Sequence, residues 1–279
     1  MWRIAIDNHR RCGIISTIPI TPDECVGNTV KENYVQHQSE DVIAATEAAA
    51  TAFEGDVEVL CHFKNAHYVH IRPTREHRIS IYGTVDNIFP VMGIRGGLDG
   101  RGFQAWLGFG RDMCRNTAEL KSVAETRISI HHNLNLREHM DDLIAQFSGL
   151  KLNWETVVSN VQKMEEQTFN IDWFLGQLYP EPVEDAKKGA VTGYENRIKA
   201  IKKRLSNELF STGRNTDAIR WDDQGQVHGA ASGWLLYNAV QGYVQHEGRG
   251  AGGRTEFQGM IKSSNSGVVG KAERLALQA

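Results

Sequence analysis

The sequence predicts an α+β protein: an antiparallel β-meander with packed helices over residues 1–150, then a helical region over 151–279 ending in a Gly/Ser-rich tail. Three observations carry this. Apolar residues alternate with polar ones through much of 57–109, as in strands with one covered face. They return every three or four positions through much of 154–247, as in amphipathic helices. Ahead of the strands, the alanine-rich segment 39–53 reads as the firmest helix of the first half. A chain of 279 residues with 41% hydrophobic content fills a core without staples.

Taken in order, residues 1–30 carry β-branched side chains and then Pro19, Pro22 and Gly27, which predict a short strand and an irregular lead-in. SEDVIAATEAAATAF opens on Ser39, a good N-cap, has Glu40 and Asp41 in its first turn and is closed by Gly55. VEVLCHF and HYVHIR flank Lys64, Asn65 and Ala66 as a β-hairpin. RISIYGTV, IFPVMGI and FQAWLGF follow as further strands, the last reached through Gly96, Gly97 and Gly100. CRNTAELKSV reads as a helix, TRISIHH as one more strand, and NLREHMDDLIAQF as a helix with Leu136, Met140, Leu143, Ile144 and Phe147 on one face. Helices are then expected from Asn153 and over IDWFLGQLY, with a linker from Pro180 to Lys188. YENRIKAIKKRLSNELF places Ile198, Ile201, Leu205 and Leu209 on one stripe. ASGWLLYNAVQGYVQH reads as a helix buried along much of its girth, and the glycine-rich segment from Gly248 as mobile.

The totals exclude some classes of function. A net charge of -3 and a pI near 6.4 give no global positive field, so any phosphate binding has to come from a local patch. Cys12, Cys25, Cys61 and Cys114 lie far apart and read as free thiols of a reducing cytoplasm. No window approaches the roughly 18 apolar residues of a membrane span. The apolar run at the N-terminus is cut by Asp7, His9, Arg10 and Arg11, unlike a signal peptide.

The densest chemistry lies in GIRGGLDGRGFQAWLGFGRDMCRN, residues 93–116. Arg95, Arg101, Phe103, Trp106, Arg111 and Arg115, with Lys121 and Arg127 after them, are the residue types that hold phosphates and stack on bases. Against this, Phe103, Ala105 and Leu107 share one strand face and Trp106 the other, so at least one aromatic belongs to the core. Lys199, Lys202, Lys203 and Arg204, with Arg249 and Arg254 in the tail, either extend a phosphate groove or form a solvated face. His67 and His70 point to opposite strand faces, as do His131 and His132, so neither pair presents two metal ligands together from one strand, while a zinc site assembled across strands stays open. A thiol nucleophile at Cys114, with His131 or His132 and Asp99, stays open as an arrangement but has no supporting signature. Gly108-Phe109-Gly110 lacks the Lys-Ser/Thr of a phosphate loop.

GGLDGRGFQAWLGFGRDMCRNT followed by TRISIHHNLNLREHM resembles the phage- and plasmid-like family catalogued as domain of unknown function nine-three-two. The matching positions are Asp99-Gly100, Arg111, Cys114, Asn116, Ile130 and His131-His132, then Trp234, Asn238, Ala239, Tyr243, Val244 and His246, with Tyr34 upstream. The chain departs from the family's polar turn at Gly96-Gly97-Leu98. The order of elements is also similar to that of single-strand annealing recombination proteins. The resemblance implies a phage or plasmid protein of the host cytoplasm and names no activity. With the basic and aromatic residues, the expectation is a non-enzymatic, cofactor-free, homo-oligomeric protein that binds single-stranded DNA or RNA in replication or recombination. The competing expectation is an accessory protein whose target is a host protein.

Overall fold

The computed structural model describes residues 2–6, 11–16, 30–31, 39–63, 66–73, 79–81, 87–97, 102–111, 117–119, 127–131, 138–213, 218–248, 259, 262–263 and 266–278. They form the predicted α+β architecture and divide into two compact units. The first comprises Met1–His77, Pro90–Gly108 and Ala124–Trp154; the second comprises Arg78–Phe89, Phe109–Val123 and Glu155–Ala279. Segments 78–89 and 109–123 thus group with the C-terminal residues, whereas a linear reading assigns them to the N-terminal half.

In the first unit, β1 (Trp2–Ile6), β2 (Arg11–Ser16) and β3 (Val30–Lys31) make a small antiparallel sheet in that order. The expected single strand is therefore a hairpin, with Ile4 opposite Ile14. Helix α1 (Ser39–Phe53) keeps the predicted boundaries. Its buried positions Val42, Ala45, Ala49 and Phe53 fall three or four residues apart, so one stripe faces the sheet. The chain leaves α1 through Glu54 at a φ of 52°, a left-handed step taken by a residue other than glycine.

β4 (Gly55–Phe63) and β5 (Ala66–Pro73) form the expected hairpin, with a bulge between Val57 and Val59. β7 (Asn87–Gly97), β8 (Phe103–Arg111) and β10 (Arg127–Ile130) complete a sheet of order β10-β8-β7-β5-β4. Phe103, Ala105 and Leu107 are fully buried on one face of β8, as their alternation predicts. Phe103 meets Phe147 of α2 (Met140–Leu152), and α2 packs beside α1. Gly96 is held small because a Cβ there would lie 2.3 Å from Val42. Glycine at this point lets α1 sit directly on β7.

In the second unit, β6 (Ile79–Ser80) pairs with β7 at Ile88 and Asn87. β9 (Thr117–Glu119) pairs with β8, which overturns the helix expected over 114–123 at the residues described. α3 (Trp154–Glu166) buries Val157, Val158, Val161 and Met164. α4 (Ile171–Leu178) is capped by Asn170, whose side chain accepts from the Trp173 N–H at 2.9 Å. α5 (Lys188–Thr212) ends where Gly213, at a φ of 63°, lets its N–H reach the last carbonyls.

The strands β11 (Thr168–Asn170), β12 (Ile219–Trp221) and β13 (Val227–Ser232) form a second small sheet of order β11-β13-β12. Ser232 caps α6 (Gly233–Gly242), all ten residues of which are buried. That exceeds the predicted coverage of its girth. Trp234 of α6 packs on Phe109, and α6 continues into a π-helical turn over Tyr243–Glu247. The glycine-rich segment expected to be mobile lies largely outside the described residues, and past it α7 (Gly267–Leu277), capped by Ser266, packs against α6.

Candidate functional site

Arg95 and Phe103, which the sequence offers to phosphate and base, are core residues of the first unit. Arg95 lies opposite Tyr68 across β5 and β7, its Nε 3.4 Å from the Tyr68 hydroxyl and its guanidinium 5.8 Å from that ring's centroid. It is 5% exposed. Trp106 is half-buried, and a Cβ at Gly93 would lie 2.3 Å from its ring. Arg127 begins β10 directly opposite Trp106.

Arg111 is the clearest correction. It leaves β8 in the second unit, where its Nη2 donates to Glu208 of α5 at 2.8 Å while its guanidinium lies 5.3 Å from the centroid of Trp234. At 4% exposure this guanidinium is not open to a phosphate. Lys202 is buried as well. Arg204 is partly exposed, with Nε 2.6 Å from Glu247. Lys199 and Lys203 are open to solvent. Arg101, Arg115, Lys121, Arg249 and Arg254 lie outside the described residues.

Lys202 leads instead to a cluster with no signal in the sequence. Its Nζ is 2.7 Å from Asp172 Oδ1 and 3.2 Å from His228 Nδ1. The other Asp172 oxygen is 3.1 Å from the same His228 nitrogen, and His228 Nε2 is 3.1 Å from Asp222 Oδ2. Asp222 also builds the turn between β12 and β13: its Oδ1 accepts from the N–H groups of Gln224 and Gln226, and its backbone carbonyl accepts from Gly225. One cluster thereby ties the start of α4, the middle of α5 and the β12–β13 hairpin.

The electrostatics follow from these contacts. Partial burial works to raise the Asp172 carboxyl, but hydrogen bonds and charge from Lys202 and His228 outweigh it and hold the group below its ordinary value. The Gln226 N–H, aided by His228 and Gln224, holds Asp222 below its ordinary value against slight desolvation. Two carboxylates are thus kept ionised beside Lys202 and His228.

Around the cluster aromatic and basic side chains are exposed, with the acidic Glu195 and Asp223 among them. Arg220 of β12 lies opposite His228 of β13 in the strand register, and its neighbour Trp221 is 48% exposed. On α5, Thr192, Asn196, Lys199, Lys203, Asn207 and Phe210 are all exposed and fall on one stripe at helical spacing. Phe210 at its end is 84% exposed. Trp173 stacks on Phe169 with ring planes 4° apart and is half-exposed. A sequence pattern of apolar spacing marks buried positions, so these uncovered aromatics escaped it.

For chemistry, Asp99, Cys114 and His132 of the thiol arrangement lie outside the described residues, and His131 is exposed at the end of β10. Among the described residues no group of three or more His, Cys, Asp or Glu side chains is arranged to hold a metal ion, and no helix is long and apolar enough to cross a membrane. A family model described as a domain of unknown function (DUF932) matches residues 27–274. No curated protein and no solved structure matches the chain.

Proposed function

The chain belongs to the family described as a domain of unknown function (DUF932), a description that names no activity, and on that footing we propose that this member binds single-stranded nucleic acid without catalysing a reaction. The role fits replication or recombination of a phage or plasmid. The observation that carries the reading is the exposed stripe of α5, on which Lys199 and Lys203 stand between Asn196 and Asn207 and lead to Phe210. Cations bind the backbone, amides bond to phosphate and sugar oxygens, and an uncovered aromatic stacks on a base of any identity. From Lys199 to Phe210 the stripe runs about 16 Å along the helix axis.

The β12–β13 hairpin adds Arg220 and Trp221 to the same unit, and the contact of His228 with Lys202 brings it to the flank of α5. The two carboxylates in that region are both engaged, Asp172 by Lys202 and His228 and Asp222 by His228.

Anisotropy titrations with labelled short single and double strands at two salt concentrations test it. Single strands bind more tightly, affinity falls as salt rises, and each of Lys199→Ala and Lys203→Ala reduces the log–log salt slope by about 0.7. Phe210→Ala weakens binding by about 1–3 kcal/mol if one base stacks there. The absence of salt-sensitive binding at micromolar protein overturns the reading.

The half-exposed Trp173, held flat against Phe169, favours a second reading in which this surface docks a host protein. Capture of one defined partner that survives nuclease treatment and is lost in Trp173→Ala supports that reading over the first.

A further inference from the structure

His228 is the one member of the Asp172, Lys202, His228 and Asp222 cluster of a type that changes charge between pH 5 and 8. Its Nδ1 is 3.1 Å from a carboxylate of α4 and 3.2 Å from an ammonium of α5. That nitrogen cannot donate to one and accept from the other at the same time. With both ring nitrogens protonated, His228 donates to Asp172 and to Asp222, and the cluster of two carboxylates, one ammonium and one imidazolium is neutral. With one proton gone and Nε2–H kept on Asp222, the Nδ1 lone pair accepts from Lys202, the bond to Asp172 is lost, and the cluster carries one negative charge.

We infer that His228 is a proton switch that moves the β12–β13 hairpin between two attachments, to α4 through Asp172 when charged and to α5 through Lys202 when neutral. The neighbours around it are accounted for. Asp172 faces it from α4, Lys202 from α5 and Asp222 from the hairpin turn, and Arg220 is its cross-strand neighbour on β12. Tyr194 of α5 and Glu181 lie within electrostatic reach of each other, as do Tyr194 and Asp172. β11 and α6, which also pack on β13, bring no charged side chain. The switch sits on the hairpin that carries Arg220 and Trp221. Its effect on ligand, which rests on the strand-binding reading above, is that gaining a negative charge against Lys202, on the helix that also carries Lys199 and Lys203, weakens binding as pH rises.

Two measurements separate the switch from that reading. Without nucleic acid, hydrogen exchange of the backbone over 218–232 and 171–173, corrected for intrinsic rates, is followed from pH 5 to 8 in the wild type and in His228→Gln. The expected result is a change in protection of about two- to fivefold through this range in the wild type, absent in the variant. Equal protection at both ends of the range in the wild type overturns the switch. Asp222→Asn, which keeps the acceptor for the two turn N–H groups, is the second variant and shows a smaller response; an undiminished response also counts against the switch. In the second measurement, single-strand affinity in the wild type falls about two- to fivefold over the same range and less in His228→Gln. Binding with no such difference overturns the ligand effect while the strand-binding reading stands. No binding at any pH overturns that reading and leaves the exchange result to decide the switch.

Discussion

Arg111 shows how a residue typical of phosphate binding can serve the interior. Its pairing with Glu208 and its position over Trp234 make it part of the core of its unit. Removing one partner leaves the other charge buried and uncompensated, so Arg111→Ala destabilises by about 3–5 kcal/mol in urea unfolding, and Arg111→Met with Glu208→Gln by much less. His70 gives a second prediction. Burial lowers its pKa from 6.5 to about 4. Between those values the unfolded chain binds a proton that the folded chain refuses, so stability falls as pH drops through that window, by about 3 kcal/mol in all. His70→Gln flattens the dependence of the urea midpoint on pH between neutrality and pH 4. Asp172 acts lower down: its folded value lies below 3.8, so its contribution is present above that pH and disappears as acidity increases further.

Gly229 decides whether the hairpin that carries Arg220 and Trp221 can form. Its φ is 101°, and a Cβ there would lie 1.9 Å from the Ala218 carbonyl oxygen, which accepts the Ala230 N–H. Gly229→Ala therefore costs about 2 kcal/mol or more and loosens the hairpin, measurable by thermal melting together with Trp221 emission. This is also where the sequence was hardest to read. Helix α1 and the strands β4, β5, β7 and β8 were legible because their apolar residues keep one period over many positions, as Val42, Ala45, Ala49 and Phe53 do. β12 has three residues, and β13 reads VHGAAS, with glycine and alanine where strand formers are usual. Thr117–Glu119 contains good helix formers, but pairing with β8 overrides so weak a preference. The family motif was legible as chemistry and misleading as exposure. Spacing shows which residues share a face, and only tertiary packing shows that Arg95 and Arg111 lie inside. Asp172, Lys202, Asp222 and His228 come from three segments far apart in the chain, so no local pattern could bring them together.

The two units are not consecutive in the chain, because 78–89 and 109–123 belong with the C-terminal residues. Cutting at the apparent boundary near residue 154 therefore divides the second unit's core. Residues 155–279 expressed alone lack Phe109 against Trp234 and Arg111 against Glu208, and are expected to give a broad, low melting transition; adding residues 1–154 in trans is expected to sharpen it. The same interleaving sets a schedule during synthesis. Every segment of the first unit has been made once Trp154 is added, but the partners of Phe109 and Arg111 are still to come. At ribosomal speeds of roughly 5–20 residues per second, α6 is completed on the order of 4–18 s later. For that interval Phe109 and the apolar side chains beside it stay on the nascent chain without their α6 neighbours, which makes residues 109–123 the stretch where a chaperone would be expected to bind first.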